Sequence, residues 1–170
     1  EDDEGRFFFG EYYMNPKRES VRIWQVEAAI DAWHVAYEFP PHSIRHVHGI
    51  YRDPYDQKAF WVAVGDLKGE CFLLRTRDAF KTFDQFGNGE QLWRAVRLYF
   101  TKEHICWLTD SNLELNHACR MDRNSGKLEV GMSIANSGWY GITCREGLHV
   151  AFTTVERGPA ITSNLSEILV

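Results

Sequence analysis

Apolar and polar positions alternate along this chain in short runs, and each run stops at turn-forming residues. Runs with a period of two, or brief unbroken apolar runs, predict strands rather than helices. FWVAV at Phe60–Val64 and HICWL at His104–Leu108 are the plainest examples. Between the runs lie Asn15-Pro16, Asp53-Pro54, Gly87-Asn88-Gly89, Asn124-Ser125-Gly126 and Arg157-Gly158-Pro159, all residues that favour tight turns. Only residues 26–35 (VEAAIDAWHV) have partly helical spacing, and their position between two strands predicts a degenerate turn. No apolar run is long enough for a transmembrane helix, so membrane insertion is not expected.

The runs repeat. Apolar strands end in an acidic residue at Asp66 (FWVAVGD), Asp110 (ICWLTD) and Glu156 (HVAFTTVE), with a fourth copy at Glu11 (FFFGE). Short strands repeating at roughly 45–50 residues predict one four-stranded antiparallel blade of a β-propeller per repeat. The fold expected is therefore all-β, with blades over 1–42, 43–90, 91–136 and 137–170 of a single propeller domain. In the second copy, strands are predicted over 45–51, Phe60–Val64 and 71–75, and near Gln85. The third copy predicts strands over 94–100, His104–Leu108 and 117–121, and from Lys127. The fourth predicts them over 139–143, 148–153 and 168–170. The first copy holds only 7–9, 21–24 and 33–39. The chain thus opens inside one blade and stops inside another, giving about three and a half blades where closed propellers have roughly 4–8. A partial propeller is expected. A half that pairs with another chain, or a four-bladed ring closed by its own ends, are the alternatives. Open strand edges invite self-association or further blades.

Composition narrows the function. The 170 residues, 44% of them hydrophobic and 14% aromatic, suffice for a core of packed sheets. A net charge of −5 with no Lys/Arg run speaks against a nucleic-acid partner. Cys71, Cys106, Cys119 and Cys144 form no CxxC pair and read as structural thiols, which favours a reducing compartment such as the cytoplasm. The chain begins at Glu1 without Met, as a processed, trimmed or partial chain would, so a targeting segment ahead of it stays open. No GxSxG, P-loop or dinucleotide fingerprint is present, and no cofactor is expected.

The turn Thr76-Arg77-Asp78-Ala79-Phe80-Lys81-Thr82-Phe83 resembles an Asp-box, the S/T-x-D-x-G-x-T-W/F turn of sialidase-like (BNR-repeat) propellers. Thr76, Asp78, Thr82 and Phe83 match, and Phe80 stands where the family prefers Gly. One repeat earlier, 26–33 keeps only the closing aromatic, Trp33. The segment from Met121 to Leu128 is similar to the D-x-x-S/T-G-x-L turn of other propellers. The resemblance implies a structural role for these boxes, away from any active site. It does not imply sialidase activity, because the Arg-Ile-Pro motif and a convincing arginine triad are missing.

Propeller topology would bring the starts of the inner strands and the ends of the second strands to one mouth. The candidate ligand-binding residues are therefore Glu11, Arg45, His46, His48, Asp66, Trp93, Arg94, Asp110, Tyr140 and Glu156. Carboxylates grip sugar hydroxyls, aromatic faces pack on sugar rings and Arg holds carboxylates, so a glycan or another polar small molecule is the expected ligand. For any one of the acids, a bond to the next turn or to a neighbouring Arg is the competing reading. Asp66 and Asp110 are the best candidates for a catalytic pair of the glycoside-hydrolase kind, although a polar mouth also binds without catalysing. Strand alternation puts His46 and His48 on one face. Hydrogen bonding in the channel is the favoured role for both. Metal ligation with Asp66 or His42, as in a metal-assisted lyase or hydrolase, is an alternative. A further alternative is a non-catalytic scaffold for protein interactions.

Overall fold

The computed structural model describes residues 1–27, 30 and 32–170, excepting the side chain of residue 146. The protein is all-β, and among the described residues its strands form four antiparallel sheets with no α-helix. Contacts divide the chain into two compact units, Glu1–Glu90 and Gln91–Val170.

The first unit holds two sheets. One runs β1 (Arg6–Gly10), β2 (Val21–Glu27), β3 (Ala32–Phe39), and the other β4 (Val47–Arg52), β5 (Phe60–Val64), β6 (Cys71–Thr76), β7 (Asp84–Gly89), each in chain order. Every residue of β5 is buried, which explains its unbroken apolar sequence. Val21, Ile23 and Phe39 of the first sheet share a core with Val47, Phe60, Val62, Val64 and Leu74 of the second. Gly10 permits the sheets to approach, since a Cβ there would stand 2.3 Å from the Cβ of Val47. The turn expected over 26–35 falls partly on residues 28, 29 and 31, which lie outside the described residues.

The box from Thr76 to Phe83 is a closed hydrogen-bonded turn. Asp78 accepts from the Lys81 and Thr82 backbone N–H groups (3.1 and 3.0 Å) and from the Thr82 hydroxyl (2.6 Å). Ala79 and Phe80 have φ of 55° and 69°, the left-handed region that explains a glycine preference at the Phe80 position. Phe80 is fully buried against Phe8 and Phe60. Phe83 closes the turn by packing on Tyr37 and Phe39 of the neighbouring sheet. Trp33 does not pack in the same manner. It lies exposed in β3, edge-on to Phe9.

The second unit also holds two sheets. One contains β8 (Tyr99–Phe100), β9 (His104–Leu108), β10 (Asn116–Asp122) and β11 (Leu128–Ile134), the other β12 (Ser137–Thr143), β13 (His149–Thr154) and β14 (Ile168–Leu169). The strand expected over 94–100 is reduced to β8 and a single bridge, Ala95 to Thr109. A 3₁₀ turn at Gln91–Trp93 precedes it, with Arg94 N–H bonded back to the Gln91 carbonyl. The Asp122 turn forms as its sequence predicts, the carboxylate accepting from the Ser125 N–H and hydroxyl (2.7 and 2.8 Å). Tyr99, Leu108, Ile134 and Ala151 form a core cluster between the two sheets. No cysteine is in a disulfide, and burial raises the Cys119 thiol to about 12, as suits an inert structural thiol.

Candidate site at the strand ends of the first unit

The acid that ends each repeated strand is held within its own unit. Glu11 accepts from the Arg22 N–H (2.9 Å) and the Trp24 indole (3.1 Å). Asp110 accepts from the Trp139 indole (2.5 Å) and pairs with Arg94 (3.3 Å). Glu156 accepts from the Ser137 hydroxyl (3.3 Å). These bonds tie strand ends to neighbouring strands. Asp66 differs because it meets two imidazoles.

Three features put Asp66 there. Gly65 has φ of 90°, and a Cβ on it would stand 2.0 Å from the Glu70 carbonyl oxygen, so only glycine fits the turn that follows β5. Glu70 in turn accepts from the Arg45 N–H (3.1 Å) and pairs with Arg18 (2.6 Å), pinning the approach to β4. Asn15, itself buried, donates to the Arg45 and Glu19 carbonyls (both 3.0 Å) and fixes the segment between β1 and β2 over the start of β4.

His48 is the extra residue of a β-bulge. Val47 pairs with Val64 and Gly49 with Ala63, leaving His48 without a partner position on β5. Such a bulge re-aims a side chain, here toward Asp66. His46 lies just ahead of β4, its carbonyl accepting from the Gly65 N–H (3.3 Å). The result is a compact cluster. The Nε2 atoms of His46 and His48 are 2.9 Å apart, and they lie 3.5 and 3.2 Å from Asp66 Oδ1. Arg45 Nη1 donates to the other oxygen of Asp66 (2.7 Å). The side chains of His46, His48 and Asp66 are 5%, 1% and 10% exposed. His46 Nδ1 lies 3.0 Å from the Tyr13 carbonyl, which only accepts, so Nδ1 carries the proton and a neutral ring presents a lone pair at Nε2. The Tyr12 ring lies over the His46 ring with centroids 4.2 Å apart.

The same segment opens outward as a cleft of about 520 Å³ lined by Glu11, Tyr12, Tyr13, Glu19, Ser20 and Arg22. Tyr12 and Met14 are among the most exposed apolar side chains of the chain.

Of the ligand-binding residues expected from sequence, the first unit brings together Arg45, His46, His48 and Asp66, with Glu11 adjoining through the bond from Val47 N–H to its carbonyl (3.0 Å). His42 is not in the cluster. Trp93 is buried against Trp107, with centroids 5.5 Å apart. Tyr140 is exposed beside Trp139. Asp66 belongs to the first unit and Asp110 to the second.

The second unit repeats the bulge. Gly138 pairs with Thr153 and Tyr140 with Phe152, so Trp139 is the extra residue, and Gly138 N–H bonds the Thr109 carbonyl (2.9 Å) as Val47 N–H bonds that of Glu11. Here the bulged side chain is an indole. Sequence reading also passed over Asp53, seen only as part of a turn. It is buried and accepts the Trp61 indole (2.9 Å), for which Asp-Pro beside an apolar run was the available signal. Comparison with protein families gave no match, and comparison with curated proteins gave none either.

Proposed function

We propose that the four sheets are blades of a partial, sialidase-like propeller, and that the first unit binds a carbohydrate or similar polar ligand in the cleft of Tyr12 and Tyr13. The observation that carries the binding role is the cleft itself. Two tyrosines stand beside two carboxylates, a hydroxyl and a guanidinium, the side-chain set that packs on sugar rings and bonds sugar hydroxyls. The blade assignment draws support from the chain-order meander of every sheet and from the hydrogen bonding of the Thr76–Phe83 turn. Calorimetry against a panel of neutral and acidic oligosaccharides tests the binding role. Tyr12 is 68% exposed, so Tyr12→Ala is expected to keep the fold and weaken binding about tenfold. No binding to any member of the panel, or equal binding by the Tyr12→Ala and Tyr13→Ala variants, would overturn it.

A second reading, association with further blades or another copy, is favoured by one face of the first sheet. The register aligns Phe7 with Val26 and Trp33, and Phe9 with Trp24 and Val35, in two apolar rows. Phe7, Phe9, Trp33 and Val35 of those rows are exposed.

A further inference from the structure

We infer that His46, His48 and Asp66 form a binding site for one divalent transition-metal ion of the Zn²⁺ class. Two ligand atoms about 2.0–2.1 Å from one ion lie about 2.9–3.4 Å apart at octahedral to tetrahedral angles. Two of the three separations here, 2.9 and 3.2 Å, fall within that span, and the third, 3.5 Å, lies just beyond its tetrahedral end. A point about 2.05 Å from all three atoms lies about 0.9 Å off their plane, between about 0.7 Å for a tetrahedral ion and about 1.2 Å for an octahedral one. The set is therefore facial and leaves coordination positions for water or a polar ligand.

The surrounding groups fit the same assignment. A ligating imidazole usually donates its other N–H to a carbonyl or carboxylate, and a ligating carboxylate is itself hydrogen-bonded. His46 Nδ1 is bonded to the Tyr13 carbonyl, which leaves Nε2 as the donor atom. Arg45 holds Asp66 Oδ2, which leaves Oδ1 facing the imidazoles. A dication engages all three atoms at once. Imidazole nitrogens select Zn²⁺, Fe²⁺, Co²⁺ or Ni²⁺ over Mg²⁺ and Ca²⁺, which prefer all-oxygen sites. The site is independent of the carbohydrate reading, because its test needs no sugar.

The test uses the 170-residue chain, freed of metal with a chelator and titrated with Zn²⁺ and Co²⁺. Calorimetry is expected to give one Zn²⁺ per chain, and Co²⁺ to give visible d–d bands. His48→Asn and Asp66→Asn are expected to weaken Zn²⁺ binding at least about 100-fold and to remove the bands, with circular dichroism unchanged. Nitrogen NMR of the histidine rings makes the test independent of variant folding. On Zn²⁺ addition to the unmodified chain, the Nε2 signals of His46 and His48 are expected to shift. Absence of stoichiometric binding, full binding by folded variants, or shifts confined to His34, His42, His104, His117 or His149 would each overturn the assignment.

Discussion

Asp78 shows how one side chain closes a turn and makes it sensitive to acid. Bonds from the Thr82 hydroxyl and backbone N–H hold its carboxyl down at about 2, against an ordinary 3.8. Its contribution to stability is present above the ordinary value and is lost as pH falls from about 4 toward 2. Asp78→Asn is therefore expected to lower the melting temperature at pH 7 and to flatten the dependence of melting on pH between 4 and 2. A variant that melts like the parent at both ends of that range would show that the carboxylate is idle. The same turn explains a departure from the sequence pattern. Phe80 accepts a left-handed backbone because its ring fills the core between Phe8 and Phe60. The pattern of Thr76, Asp78 and Thr82 was legible because each acts within the turn. The burial of Phe80 was not, since it depends on strands far away in sequence.

At the scale of elements, the strands themselves were the most readable part. β5 and β9 begin and end where their apolar runs do, because turn residues bound them on both sides. The bulge in β4 was hidden, since the strand is too short for a change in the phase of its alternation to stand out. Alternation placed His46 and His48 on one face of a strand. In the structure His46 precedes the strand and His48 is the bulged residue, so their meeting comes from a fault in register. The segment expected as an inner strand from residue 94 is preceded by a 3₁₀ turn at Gln91–Trp93, in which the Trp93 ring is buried. Sheet approach gives a test at this scale. A Cβ at Gly10 would meet Val47, and one at Gly138 would stand 2.2 Å from the Leu108 Cβ. Gly10→Ala and Gly138→Ala are each expected to cost about 1–3 kcal/mol in urea unfolding, as overpacked contacts do. A cost near zero would mean that the sheets part without strain.

For the whole molecule, the uncovered rows of Phe7, Phe9, Trp33 and Val35 make solution mass the informative quantity. Light scattering is expected to show concentration-dependent association, reduced by Trp33→Ser, because an exposed apolar patch of this kind seeks cover. A strict monomer up to high concentration would retire the association reading. Each unit has its own apolar cluster between its own pair of sheets, and each carries the same bulge at the start of a strand. In one the bulge hands an imidazole to Asp66, and in the other an indole to Asp110. The backbone fault is thus a socket, and the occupant is a separate choice. Evolution, or a protein engineer, changes the chemistry there by replacing one residue, with no new fold to invent.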